Sequence, residues 1–287
     1  MDGRHKIWLL PLIVLALLIA GLYFYHYVPD DTFITLRYAR NVARGDGFVF
    51  NTGVRLEGYT NFLWLIILAA AGRVGLPLLG TARALSLVFS LSVLGITFSL
   101  SRDSIRRAGL EGWDEGIAAA LPPMLLAVSA PFLAWSLSGS EIPLYTTLLL
   151  LGFKLLRDGR SDTAVFALFG LLGLVRPDGL LFYAVAGIIL LRRGENRRGI
   201  ILRGAAVWLL LFGPYLIWKW LYFGSLVPNT FYAKTGPPGL MLSNGAKYVG
   251  AFLASYGYLI VLGALLMKGS FPKRGLTVLA LPFILAH

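Results

Sequence analysis

Residues 62–71 read FLWLIILAAA, ten apolar residues in succession between Asn61 and Gly72. As a helix this run is only ~15 Å long, about half of a ~30 Å hydrocarbon core. If it crosses a bilayer, Arg102, Arg106 and Arg107 fall on the outer side. If it lies flat or dips in the interface, those arginines face the cytoplasm. So then do Arg157 and Arg160, the group Arg192, Arg193, Arg197, Arg198 and Arg203, and Lys268, Lys273 and Arg274. The second choice satisfies the positive-inside rule at every later loop, and the run is short for a span. A juxtamembrane helix is therefore expected.

Working outward, residues 7–28 contain no Lys, Arg, Asp or Glu and are long enough to cross a bilayer. A cleaved signal peptide is the competing reading after Arg4, His5 and Lys6. The run exceeds the usual ~7–15-residue apolar core and ends in Tyr23-Phe24-Tyr25-His26-Tyr27 instead of small residues, which suits an uncleaved anchor with an aromatic belt. Further spans are expected at Ala84–Ser101, Gly116–Trp135, Pro143–Leu156, Thr163–Val175, Gly179–Leu191, Gly204–Phe223 and Tyr248–Met267. A last run opens at Leu276 and meets the end of the sequence at His287. The expectation is an all-α polytopic membrane protein, one transmembrane domain over residues 1–287 with about nine spans, read as a fragment that lacks a carboxyl-terminal part.

Composition agrees. The 287 residues are 57% hydrophobic and 14% charged, where soluble domains carry roughly 25% charged residues. The net charge of +12 has its simplest source in cytoplasmic loops, and no nucleic-acid-binding motif is visible. Cysteine is absent, which excludes disulfides and thiolate metal sites. The three histidines are far apart, so no zinc-like cluster is expected.

Outside the cell lie Pro29–Arg83, Ser136–Ile142, the turn Arg176-Pro177-Asp178, and Gly224–Lys247. The outer loop 29–83 carries arginines 37, 40, 44, 55, 73 and 83, which the positive-inside rule does not explain. Asp30 and Asp31 open an amphipathic helix to Arg44 whose Phe33, Arg37, Arg40 and Arg44 share a face. Residues 48–56 read as a small hairpin with Gly53 in its turn. An aspartate at a helix start can simply cap it, and one suffices for that. A pair before an arginine stripe suggests a base beside cations for an anion. The stripe itself has two open readings, a substrate anion or anionic lipid headgroups.

These residues carry a resemblance. The stretch from Asp30-Asp31 through Arg37, Arg40 and Asn41, Gly45-Asp46-Gly47 and Asn51 to Glu57-Gly58-Tyr59-Thr60-Asn61 resembles the first outer loop of GT-C-fold glycosyltransferases. The nearest group is the mycobacterial-type terminal arabinofuranosyltransferases with their bacterial and archaeal relatives. Similar later stretches are Ser138-Gly139-Ser140-Glu141, Arg176-Pro177-Asp178-Gly179 and Tyr222 to Lys234. The family pattern often has Glu at Asp178 and Leu-Glu-Thr at Ser140-Glu141-Ile142.

The resemblance implies a GT-C-like helix bundle in the plasma membrane. It would transfer a sugar from a polyprenyl-phosphate donor to a glycan, lipid or protein hydroxyl on the non-cytoplasmic face, commonly with inversion. Such a displacement needs a base for the acceptor proton and positive groups where the lipid phosphate departs. Asp30 or Asp31 is the candidate base. Arg37, Arg40, Arg176 and Lys234 are candidates for the donor phosphate, and Glu57, Tyr59, Asn61, Glu141, Asp178, Asn229 and Tyr232 for the acceptor or for support. Plainer roles compete: Ser138 and Glu141 have capping-box spacing, Arg176 can pair with Asp178, Asn229 can cap a short helix and Tyr232 can be an interfacial anchor. Glu141 is also the candidate for helping to hold a divalent cation. No Walker-type phosphate loop occurs. The competing classes are a transporter or flippase of a lipid-linked sugar, whose site would lie near the bilayer midplane, and a non-catalytic assembly partner.

Overall fold

The structure, a computed structural model, describes residues 9–107, 113–194, 196–234 and 238–268. In chain order the helices are α1 (Leu9–Tyr23), α2 (Asp30–Arg44), α3 (Phe62–Arg73), α4 (Leu78–Arg107), α5 (Trp113–Ala127), α6 (Ala130–Ser136), α7 (Ile142–Arg157), α8 (Asp162–Val175), α9 (Gly179–Arg193), α10 (Arg197–Phe223), α11 (Asn229–Lys234) and α12 (Pro238–Lys268). No strand occurs among the described residues. The run opening at Leu276 lies outside them.

The apolar stretches are helical because a backbone without water must satisfy its own N–H and C=O groups, and a helix does so within one segment. By length and composition α4, with 30 residues, and α10, with 27, can each cross a membrane alone; at 1.5 Å per residue they measure ~45 and ~40 Å. The expected span Gly116–Trp135 is two helices, bent by 69° at the break after Ala127. Pro122 and Pro123 sit inside α5, where each removes a backbone donor. Helices α7, α8 and α9 have 16, 14 and 15 residues, short of the ~20 that an upright span needs. Helix α3 has 12 residues, too few for an upright span.

The chain divides into two compact units. Unit 1 contains residues 97–132. There the carboxylate of Glu115, almost fully buried, accepts from Arg102 at 2.8 Å and Arg106 at 2.6 Å, so two arginines of the first basic loop clamp α5 to the end of α4.

Unit 2 contains residues 20–96 and 133–230. Helix α8 packs on α7, α9 and α10, and α2 packs on α3. The antiparallel turns put the end of α7 and the starts of α8 and α10 together: Arg203 meets Asp162 at 2.7 Å, and Arg193 donates to the Leu156 carbonyl at 2.8 Å. Glu141 and the 176–178 turn stand at the opposite end. Where α8 turns into α9, a Cβ on Gly179 would come within 2.6 Å of the Leu172 and Gly173 backbone, so this glycine is required by close approach, beyond what a turn asks.

The loop over α3 packs aromatically on α10. Tyr38, Tyr59 and Leu65 are buried together, with Phe48, Phe62 and Phe223 against them, and Phe48 and Phe62 meet Trp218 and Tyr215 at centroid distances of 4.6 and 4.5 Å. Residues 48–56 form no hairpin. The side chains of α2 take the carbonyls a ladder would have used: Asn41 donates to Val49 and Phe50, Arg37 to Phe50, and Tyr38 to Leu56. Side-chain-to-backbone bonds compete with sheet in this way.

Candidate functional site

Helix α2 begins directly after Pro29, and its first two residues are the acidic pair. The Asp30 carboxylate accepts the Asp31 N–H at 3.0 Å, which satisfies one orphan donor of the helix start. The Asp31 carboxylate is exposed, and no described residue partners it. The cap position is Pro29, which has no side-chain cap bond, so the Asp31 carboxylate is left available.

One turn on, Thr35 is buried and shares hydrogen bonds with Asn61, at 3.0 Å from the Asn61 amide. That amide also donates to Glu141 Oε2 at 2.9 Å. The other Glu141 oxygen accepts from Arg176 Nη1 at 3.3 Å, and Arg176 Nε reaches Asp178 at 3.3 Å. Through Thr35, whose hydroxyl also lies 3.0 Å from the Asp31 carbonyl, a single polar chain joins the first turn of α2 to the loop ahead of α7 and the α8–α9 turn. Burial works against the Arg176 charge, but Asp178 and Glu141 outweigh it and hold its pKa above the ordinary arginine value. The guanidinium stays cationic.

The expected Ser138–Glu141 capping box does not form. The Ser138 hydroxyl donates to the Trp135 carbonyl, Glu141 itself is the residue at the cap of α7, and its side chain makes no capping bond. Glu141 is drawn away by Asn61 and Arg176, charge-assisted partners that a cap cannot match. Trp64 donates to Gly139 and Ser86 to Ser140, which fixes the 138–140 loop against α3 and α4.

Glu57 has a partner that sequence reading missed. Its carboxylate lies 2.9 Å from Lys219 Nζ of α10, each side chain only 5% exposed. Tyr215 also meets this carboxylate as a hydrogen-bonding neighbour. Burial raises the Glu57 pKa, and Lys219 offsets part of that rise. The Glu57 carbonyl also accepts the Asn229 N–H at 3.0 Å, tying α11 to the same point. Lys219 is the one ionisable charge between Gly204 and Phe223; a charge inside an apolar run is the signal that could have found it. Thr35 offered no such signal. Tyr59 is buried with its hydroxyl unpartnered among the described residues, and burial raises its pKa. The side chains of Tyr232 and Lys234 lie outside the described residues.

The arginine stripe is not brought to this cluster. At about 100° per residue, Thr35 projects ~40° from Asp31, Arg37 and Arg44 ~120–140°, and Arg40 ~180°. The stripe faces a separate cavity of about 660 Å³. Arg37 is held there by Phe50 and Asn51. Among the described residues no group of three His, Asp or Glu side chains could hold a metal ion.

Helices and site together define an all-helical membrane protein with a paired carboxylate–arginine cluster at one end of its helices. No family model matches the chain. It is similar to the terminal beta-(1->2)-arabinofuranosyltransferase of Mycobacterium tuberculosis, 32% identical over 268 residues, covering 88% of this chain and 42% of that protein. The enzyme of the same name from Corynebacterium glutamicum is 27% identical over 281 residues, covering 89% and 41%. The chain thus spans about two-fifths of the length of the curated relatives it matches.

Proposed function

We propose that this chain carries the catalytic centre of a glycosyltransferase that moves a sugar, a pentofuranose by its relatives' names, from a polyprenyl-phosphate donor to an acceptor hydroxyl at the non-cytoplasmic face, with inversion. The observation that carries the reading is the chain Thr35–Asn61–Glu141–Arg176, which joins the turn bearing the unpartnered Asp31 to a cation held by two carboxylates.

Asp31 accepts the proton of the acceptor hydroxyl as that oxygen bonds the anomeric carbon. The bond from that carbon to the phosphate oxygen breaks, and the lipid phosphate leaves carrying the electron pair. Arg176 stabilises the charge gained by the phosphate. Asn61 and Glu141 position Arg176, and the Asp30 carboxylate accepts the Asp31 N–H at the start of the helix that presents Asp31. Arg37 and Arg40 face the other side of α2, so the departing phosphate falls to Arg176. The basic ends of α7–α10, opposite the cluster, support an outward-facing site by the positive-inside rule.

The test incubates purified protein with a polyprenyl-phosphate sugar and a glycan acceptor. Transfer predicts free polyprenyl phosphate and an extended glycan, with Asp31→Asn lowering turnover by about 10²–10⁴-fold, the range for a general base. Redistribution of donor across liposomes without product would identify a flippase and overturn the proposal. So would undiminished turnover in Asp31→Asn.

A further inference from the structure

We infer that the cavity beneath the outer face of α2 is a second lipid-phosphate site, which takes the headgroup of an anionic glycerophospholipid from the surrounding leaflet. Its wall is of two kinds. Arg37, Arg40 and Arg44 supply three guanidinium groups, and Phe33, Leu76 and Leu78 supply apolar surface from α2 and the α3–α4 junction. No Asp or Glu lines it. Arg40 and Arg44 are exposed and have no partner among the described residues, so their donors are uncommitted. Arg37 is already fixed, its Nε 2.8 Å from the Phe50 carbonyl and its guanidinium over the Phe50 ring.

Guanidinium forks match phosphate oxygens bidentately, and an apolar wall beside them fits hydrocarbon, which a free anion would leave bare. Phe33 and Leu76, which line the cavity, are exposed, and with the arginines they make a cation-and-apolar mixture suited to the bilayer interface.

The occupant is not the donor in its reacting pose. A departing phosphate is one bond from the anomeric carbon, which must lie ~3–3.5 Å from the attacking oxygen. The cavity and Asp31 are on opposite sides of a helix ~10 Å across. That the site is second rests on the reading of Asp31; that it binds a lipid phosphate does not.

The experiment measures retention of phosphatidylglycerol against phosphatidylcholine by the purified full chain, using native mass spectrometry from mixed micelles. Wild type should prefer phosphatidylglycerol. Arg40→Ala/Arg44→Ala should lose about tenfold or more of that preference, since each interfacial arginine is worth ~1 kcal/mol toward anionic lipid. Arg40→Lys/Arg44→Lys should keep part of it, with unchanged melting for both variants. Unchanged preference in the alanine variant overturns the site. Equal displacement by inorganic phosphate makes it a free-anion site and overturns the lipid. If polyprenyl phosphate binding depends on Arg40 and Arg44 but not on Arg176, the cavity is the donor site and the inference fails. Binding is read without turnover, so failed glycosyl transfer in wild type would leave this result standing.

Discussion

Replacing Lys219 with Met should destabilise the protein strongly at neutral pH and far less in mild acid. The lysine and Glu57 are each 5% exposed and 2.9 Å apart, so the variant leaves a buried carboxylate without its countercharge, with Tyr215 as its remaining hydrogen-bonding neighbour. Breaking a buried pair from one side costs roughly 3–5 kcal/mol. Glu57 can avoid that only by taking a proton. Holding a carboxyl with an ordinary pKa near 4.3 protonated at pH 7 costs about 2.7 × 1.36, or ~3.7 kcal/mol. The two routes agree, and at pH 5 the second falls to ~1 kcal/mol. The sign follows from the direction of the shift. Burial raises the folded pKa of Glu57, so its contribution is fully present below the unfolded value and is lost as pH rises through the folded one. With Lys219 gone that loss grows. Thermal unfolding in detergent, followed by tryptophan fluorescence from pH 5 to pH 8, reads this directly. Lys219→Met/Glu57→Gln should recover most of the deficit. A flat pH profile in the single variant, or no recovery in the double, would refute the account.

Other outcomes follow from the same geometry. Asn61→Ala removes the amide shared by Thr35 and Glu141; it should lower turnover by about tenfold, one hydrogen bond of ~1–1.5 kcal/mol in the reacting arrangement, with little change in melting temperature. Equal loss of turnover and folded protein would instead mark Asn61 as purely structural. Gly179→Ala places a methyl against the Leu172 and Gly173 backbone, and overpacking of this kind costs ~1–3 kcal/mol or more; normal detergent stability would show that α8 and α9 can separate cheaply. An epitope near Arg106 should be reached by impermeant antibody only after permeabilisation.

Much of the architecture was legible from local chain properties. Hydropathy marks the apolar helices because lipid and buried helices select apolar residues one segment at a time, and helical periodicity put Phe33, Arg37, Arg40 and Arg44 of α2 on one face without reference to any neighbour. The short length of residues 62–71 likewise sufficed for α3. The hairpin at 48–56 failed for a tertiary reason, because α2 satisfies its carbonyls. The capping box failed because Asn61 and Arg176 outbid the helix start for Glu141.

What the amino-acid order determined alone was an all-helical membrane chain with an acidic doublet opening an arginine-striped helix. Only the tertiary structure decided that the stripe faces away from Asp31, that Thr35, Asn61, Glu141 and Arg176 form one hydrogen-bonded chain, and that Glu57 is neutralised by Lys219, 162 positions away. Hydropathy and periodicity are properties of neighbours in sequence. Pairing between distant charges depends on how helices pack, and the cost of leaving such charges buried and alone selects the partner.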